Sequence, residues 1–221
     1  DPAHVMENYR RMASILGTDV DRMVLSYQTH TINVRTVTEA DAGKGIGKER
    51  DYQDMDGLIT NIPGITLVTF YADCVPLYFV DPVHKAIGLS HSGWRGTVHR
   101  MGKATLEAMN REYGTDPVDV VACIGPSICQ DCFEVGPEVA EKFAGNFAKK
   151  YHAELFYRKE NGKYQVDLWR ANQIILNEAG IPKDQIHTTD ICTRCNPEHL
   201  FSHRIMGTER GNLAAFLVLK E

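Results

Sequence analysis

Cys74 stands in the break between two apolar runs, in Tyr71-Ala72-Asp73-Cys74-Val75-Pro76, and His91 ends another, in His91-Ser92-Gly93-Trp94-Arg95-Gly96. Strand ends and the loops leaving them are where α/β proteins present reactive groups, because the sheet fixes a position while the loop stays accessible. His30, in Gln28-Thr29-His30, lies at a third strand end among polar neighbours. Two imidazoles and one thiolate suit Zn²⁺, with copper the second candidate, and three protein ligands leave a fourth position for water or substrate. The intervals between the three are long and unequal and carry no diagnostic spacing, so satisfied core residues are the competing reading. The same side chains also allow Cys74 as nucleophile with His91 as its base, the chemistry of a thiol hydrolase or deamidase.

The Gly93 to Gly96 turn leads into an expected helix, so its exposed backbone N–H groups could hold an anion such as phosphate, with Arg95 adding a permanent charge. The plainer reading is a tight turn in which Trp94 packs and Arg95 is solvated. Gly43-Lys44-Gly45-Ile46-Gly47 lacks the Lys-Ser/Thr ending of a P-loop and the glycine spacing of a dinucleotide fingerprint, so a flexible loop is expected there. Cys129 and Cys132, then Cys192 and Cys195, form two C-x-x-C pairs. They are too far apart in sequence for a compact zinc ribbon though not for a site assembled by the fold, and buried reduced thiols are the favoured reading. His4, His84, His99, His152, His187 and His199 follow no partner pattern and read as surface or packing residues.

Positioning these groups requires a sheet. Asp1 as N-cap, Pro2 at the first helical position and Val5, Tyr9, Met12, Ile15 and Leu16 at helical spacing predict an opening helix closed by Gly17. β-Branched runs predict strands at Val24 to Gln28 and Ile32 to Val37, followed by a mobile glycine-rich stretch from Ala42 to Asp56. Further strands are expected at Leu58 to Thr60, Ile65 to Tyr71, Pro76 to Val80 and Lys85 to His91, together forming the sheet core. Helical periodicity covers Gly96 to Tyr113, Pro137 to Phe147 and Asp167 to Ala179, with strands at Val118 to Ile124 and Leu213 to Leu219. The extended segments cluster too tightly for simple β-α alternation, so the expectation is one α/β domain over residues 1–221, a mixed sheet with covering helices.

With 43% apolar residues over 221 positions, the chain can bury one sizeable core, which excludes disorder. No apolar run approaches the ~20 residues that span a bilayer, so no membrane partner is expected. The net charge is −5 without a basic block, which argues against nucleic acid. Six cysteines are too few for a disulfide scaffold and point to the reducing cytoplasm.

Four ordered motifs resemble those of the YfiH-like proteins, relatives of the laccase-domain purine nucleoside enzymes once labelled multicopper polyphenol oxidases. They are Ala72-Asp73-Cys74-Val75-Pro76; His91-Ser92-Gly93-Trp94-Arg95-Gly96; Ile124-Gly125-Pro126-Ser127-Ile128 with Glu134-Val135-Gly136; and Phe201-Ser202-His203-Arg204. The resemblance implies a layered sandwich of sheets and helices, with metal ligands at His30, Cys74 and His91. It further implies phosphorolysis of adenosine, inosine and methylthioadenosine and deamination of adenosine, with purine nucleoside and phosphate as partners in a monomer or small homo-oligomer. Members of the family usually begin earlier, with an N-terminal strand and an arginine- and glycine-containing segment that this sequence does not carry. A dication held by one thiolate and two neutral imidazoles keeps a net charge of +1, enough to bring hydroxide within reach at neutral pH. Cys74, His91 and Arg95 are the expected catalytic residues, with Arg95 and the adjacent amides on phosphate and His203 and Arg204 lining the pocket. Phenol oxidation by copper is the weaker alternative, because the nine histidines contain no His-x-His pair to cluster several copper ions.

Overall fold

The computed structural model describes residues 1–220. Among the described residues, twelve strands form three sheets. A six-stranded mixed sheet carries, in spatial order, β11 (Ile186–Thr188), β7 (Val121–Ile124), β5 (Val75–Asp81), β6 (Ala86–Ser92), β3 (Gly57–Thr60) and β2 (Val34–Thr36). A three-stranded sheet sets β4 (Thr66–Tyr71) between β1 (Met23–Leu25), to which it is parallel, and β12 (Leu213–Val218), to which it is antiparallel. A small antiparallel sheet joins β8 (Glu134–Val135), β10 (Tyr164–Val166) and β9 (Phe156–Arg158).

The helices are α1 (Pro2–Leu16), α2 (Trp94–Val98), α3 (Met101–Tyr113), α4 (Pro137–Asn146), α5 (His152–Leu155), α6 (Leu168–Glu178) and α7 (His203–Met206). As expected, α1 is capped by the Asp1 carboxylate, which accepts from the Ala3 amide, and ended by Gly17 in the left-handed conformation that an achiral residue adopts without penalty. None of the helices among the described residues is long and apolar enough to cross a membrane.

Side-chain parity along β6 explains the layering. Ala86 joins the cluster that the large sheet makes with helices, and a Cβ on Gly88 would meet Met109 and Thr105 of α3. Ile87 and Leu89 point the other way, into a cluster with Leu58, Leu67 and Tyr71 between the two larger sheets. β6 is therefore buried on both faces, and its sequence reads as an almost continuous apolar run. Val68 of β4 packs outward with Met23, Leu25 and Ala13 of α1. Helices, six-stranded sheet, β1-β4-β12 sheet and α1 thus stack as a layered sandwich with mixed strands, the class expected from the sequence.

Three details differ from expectation. The segment Leu58 to His91 does not form one sheet, because β4 belongs to the three-stranded layer and the chain crosses between layers at Ala72 to Cys74. The helix expected from Gly96 to Tyr113 is two helices broken at Arg100, whose φ of 64° turns the chain while its guanidinium pairs with Glu178 and the Asn146 carbonyl. The Ala42 to Asp56 stretch is tied down rather than loose. Gly43 N donates to Met23 O, Leu25 N donates to Lys44 O, and Lys44 Nζ bridges Asp41 and Asp51. A Cβ at Gly45 (φ 95°) would strike Leu25 Cβ at 2.6 Å, so the glycines serve a close-packed turn.

Candidate metal centre

His91 continues the parity of Ile87 and Leu89 and so faces the junction between the six-stranded sheet and the β1-β4-β12 sheet, where its ring lies 5.6 Å from that of Tyr71. The crossing from β4 to β5 delivers Cys74 to the same junction. His30 arrives from the link between β1 and β2 with a φ of 67°, a conformation unusual for a residue with a Cβ and one that surrounding contacts must impose.

Asp56 supplies those contacts. Its carboxylate is fully buried just ahead of β3 and accepts from the backbone amides of Thr29, His30 and Thr31 and from Thr31 Oγ1. It also bonds His91 Nδ1 at 2.8 Å. Burial alone would raise this carboxyl, but the bonds from His91, Thr29 and Thr31 hold it down at about 2. One buried anion therefore folds the His30 loop and fixes the ring of His91, leaving Nε2 free for a ligand. This carboxylate–imidazole pairing is the arrangement that orients histidines on metals.

His30, Cys74 and His91 each offer a ligand atom within 4.8 Å of the others. Cys74 Sγ lies 3.9 Å from His30 Nε2, and the two imidazoles meet edge to face with centroids 5.0 Å apart. Zn–S and Zn–N bonds at tetrahedral angles separate S from N by roughly 3.6 Å, so the Cys74–His30 pair is within a few tenths of an ångström of bonding geometry. Burial would push the Cys74 thiol up, yet His30 and His91 bring it down to about 6, while Asp56 and Cys74 outweigh burial and lift His91 to about 9. The donor set fits a soft divalent ion. Gly93 makes room for it, since a Cβ there would sit 2.9 Å from Cys74 Sγ and 3.0 Å from His30 Cδ2.

Two cavities flank the trio and share His30, Ala72, Cys74 and Arg210 in their walls. The first, about 350 Å³, adds His91 and Arg50 beside Tyr27, Phe70 and Tyr71. The second, about 320 Å³, is more apolar and is walled by Trp94, Ile128, Phe133 and Leu168, with His203 and Arg204 at its edge.

Arg95 does not reach either cavity. It is exposed at the start of α2, and its guanidinium lies over the Trp94 ring at 4.5 Å. Arg204 lines the second cavity with its guanidinium engaged by the carbonyls of Cys132 and Glu134. His203 sits beside it on α7, its Nδ1 bonded to Gly207 O. Asp56, Arg50 and Arg210 escape a sequence reading. Asp56 meets His91 across 35 residues, and Arg50 and Arg210 come from segments without any motif.

The family model described as multi-copper polyphenol oxidoreductase laccase matches residues 1–220. The chain is 34% identical over 224 residues to a protein named purine nucleoside phosphorylase YlmD from Bacillus subtilis (strain 168), covering 99% of this chain and 78% of that one. It is 39% identical over 217 residues to a protein named adenosine deaminase RL5 from an unknown prokaryotic organism, covering 96% of this chain and 80% of that one. The crystal structure of the Bacillus licheniformis hypothetical protein YfiH matches with a TM-score of 0.94 at 33% identity, over 100% of this chain and 82% of that chain. Sequence, fold and relatives agree: the chain belongs to the multi-copper polyphenol oxidoreductase laccase family, the family of the YfiH-like proteins.

Proposed function

We propose that this chain is a zinc-dependent purine nucleoside enzyme that cleaves adenosine, inosine and methylthioadenosine with phosphate and also deaminates adenosine. The observation that carries the reading is the convergence of His30, Cys74 and His91 on one point between two cavities, with Asp56 locked behind His91. Relatives named purine nucleoside phosphorylase and adenosine deaminase supply the reaction class.

In this reading His30, Cys74 and His91 hold the ion and Asp56 orients His91. When bound, Zn²⁺ supplies Lewis acidity, which favours charge on a leaving purine or on attacking water at neutral pH. The second cavity offers Trp94 and Phe133 to the flat base, and the apolar walls exclude water from it. Phosphorolysis places a phosphate oxygen on the ribose anomeric carbon as the bond to the purine nitrogen breaks, so positive charge is needed near the phosphate and near the departing base. Arg50 and Arg210 line the first cavity and are assigned the phosphate, Arg210 having a buried Nε without a protein partner. The exposed Arg95, stacked on Trp94, then steadies the wall of the base cavity, and His203 and Arg204 close its edge.

Six free thiols fit a reducing compartment such as the cytoplasm. Release of free base and ribose 1-phosphate from inosine, dependent on phosphate and zinc, tests the reading, and a zinc-loaded chain that releases neither from any of the three nucleosides overturns it. Several kcal/mol of lost charge stabilisation in Cys74→Ala should lower kcat/KM by roughly 10³-fold or more.

A second reading follows from the lowered Cys74 thiol beside His91 and Asp56, an arrangement that also serves thiol nucleophiles. Rapid alkylation of Cys74 in protein that retains full activity without zinc would favour it.

A further inference from the structure

Outside the site described, one other cluster among the described residues offers metal-ligating atoms. Cys129, Cys132, Cys192 and Cys195 bring their four Sγ atoms within 4.8 Å of one another. The sequence favours buried reduced thiols here while leaving a folded metal site open; all four thiols are free, Cys132 and Cys192 buried, Cys129 half-buried and Cys195 exposed. The loops that carry them run side by side through the Ser127–Cys192 bridge, with Ser127 N donating to Ile191 O and Thr193 N to Ser127 O. A separation of 60 residues in sequence becomes direct contact in space.

We propose that these four cysteines bind a single structural Zn²⁺ as a closed tetrathiolate site. Sulfurs at the corners of a zinc tetrahedron stand roughly 3.8 Å apart, given Zn–S bonds of about 2.3 Å. The four-way convergence within 4.8 Å and a Cys132 to Cys195 separation of 3.4 Å match that size. A disulfide needs about 2.05 Å and would pair the sulfurs two by two, and a multi-iron cluster would hold them much farther apart. Groups that stabilise thiolate sulfur are also in place. The Cys129 amide donates to Cys192 Sγ at 3.3 Å, and Arg194 Nη1 lies 3.3 Å from Cys132 Sγ, a permanent cation beside a site that would carry a net charge of −2. With all four corners filled by protein, no position is left for substrate, so the ion acts as a staple.

What it staples is the far wall of the other centre. From one loop Ile128 N donates to Asp73 O, and from the other Thr193 Oγ1 donates to Asp73 Oδ1 at 2.6 Å. Asp73 immediately precedes Cys74.

The test is elemental analysis of purified wild type, Cys74→Ala and the double variant Cys192→Ser/Cys195→Ser, with cobalt substitution and mass mapping of alkylated cysteines on the wild type. Expected are two zinc ions per wild-type chain and one in each variant. Cobalt in Cys74→Ala should keep an intense sulfur-to-metal charge-transfer band, and the four cysteines should resist alkylation until a chelator releases zinc. A wild type holding one zinc that survives in Cys74→Ala would still support this site while contradicting the first. A chain whose zinc disappears entirely in Cys74→Ala, disulfides among the four, iron in place of zinc, or four freely alkylated thiols would each overturn the proposal. The cobalt and alkylation readouts need only wild type and Cys74→Ala, so misfolding of the double variant does not remove the test.

Discussion

Asp56 does two jobs with one carboxylate: it gathers three successive amides of the His30 loop and it fixes His91. Replacing it by Asn keeps the shape but removes the charge and one acceptor oxygen. Asp56→Asn should weaken zinc binding about 10- to 100-fold, read by chelator competition on folded protein. Gly93 is the complementary case, a residue that matters for what it lacks. The added methyl of Gly93→Ala would enter the space of Cys74 Sγ and His30 and cost about 1–3 kcal/mol of strain. The expected result is loss of zinc from this centre together with a melting temperature lowered by roughly 2–10 °C even in metal-free protein. His30, Cys74 and His91 were legible as ligand types at strand ends. Asp56 was not, because a buried acid that answers a histidine on another strand leaves no local pattern.

At the scale of elements, the Ala42 to Asp56 stretch carries Arg50 to the cavity and depends on Asp41 for its anchorage. That carboxylate is 2% exposed, yet Lys44, the Thr38 amide and Arg35 together overcome the cost of burial and hold it well below the ordinary carboxylate range. A depressed folded pKa means a contribution that is complete above the unfolded carboxyl value of ~3.9 and fades as pH falls toward the folded one. Asp41→Asn should therefore destabilise by about 1–3 kcal/mol at pH 7, discounted for the partly exposed Lys44 and Arg35. Urea denaturation should show the gap from wild type shrinking by about a third between pH 5 and pH 3 and continuing to shrink below pH 3. A gap that widens would mean the ion pairs do not act as drawn. The glycines here suggested looseness because composition cannot distinguish a turn packed against Leu25 from a solvated one. β8, β9, β10 and β11 were missed for a simpler reason, since strands of two or three residues are too short for an alternation pattern.

Across the whole molecule, both candidate centres lie where layers or loops meet; apolar runs too dense for alternating β-α order pointed to a mixed sheet under helices, and the layered sandwich came from the family resemblance. What could not be foreseen was the crossing at Ala72 to Cys74, since two neighbouring strands of like composition do not reveal that they belong to different sheets. That crossing is also why the site sits at a junction. Leu89 packs between the two sheets directly beside His91, so Leu89→Ala should cost about 2–5 kcal/mol of stability and reduce zinc occupancy with it, measured by thermal unfolding with and without chelator.

In the proposed enzyme an imidazole, a thiolate and a second imidazole grip one ion on which nucleoside cleavage depends. Zinc content and phosphate-dependent inosine cleavage, measured side by side in wild type and Cys74→Ala, test it most directly. The variant should hold one zinc ion fewer per chain and release no hypoxanthine. Undiminished zinc in folded Cys74→Ala, or cleavage that continues after its loss, would contradict it.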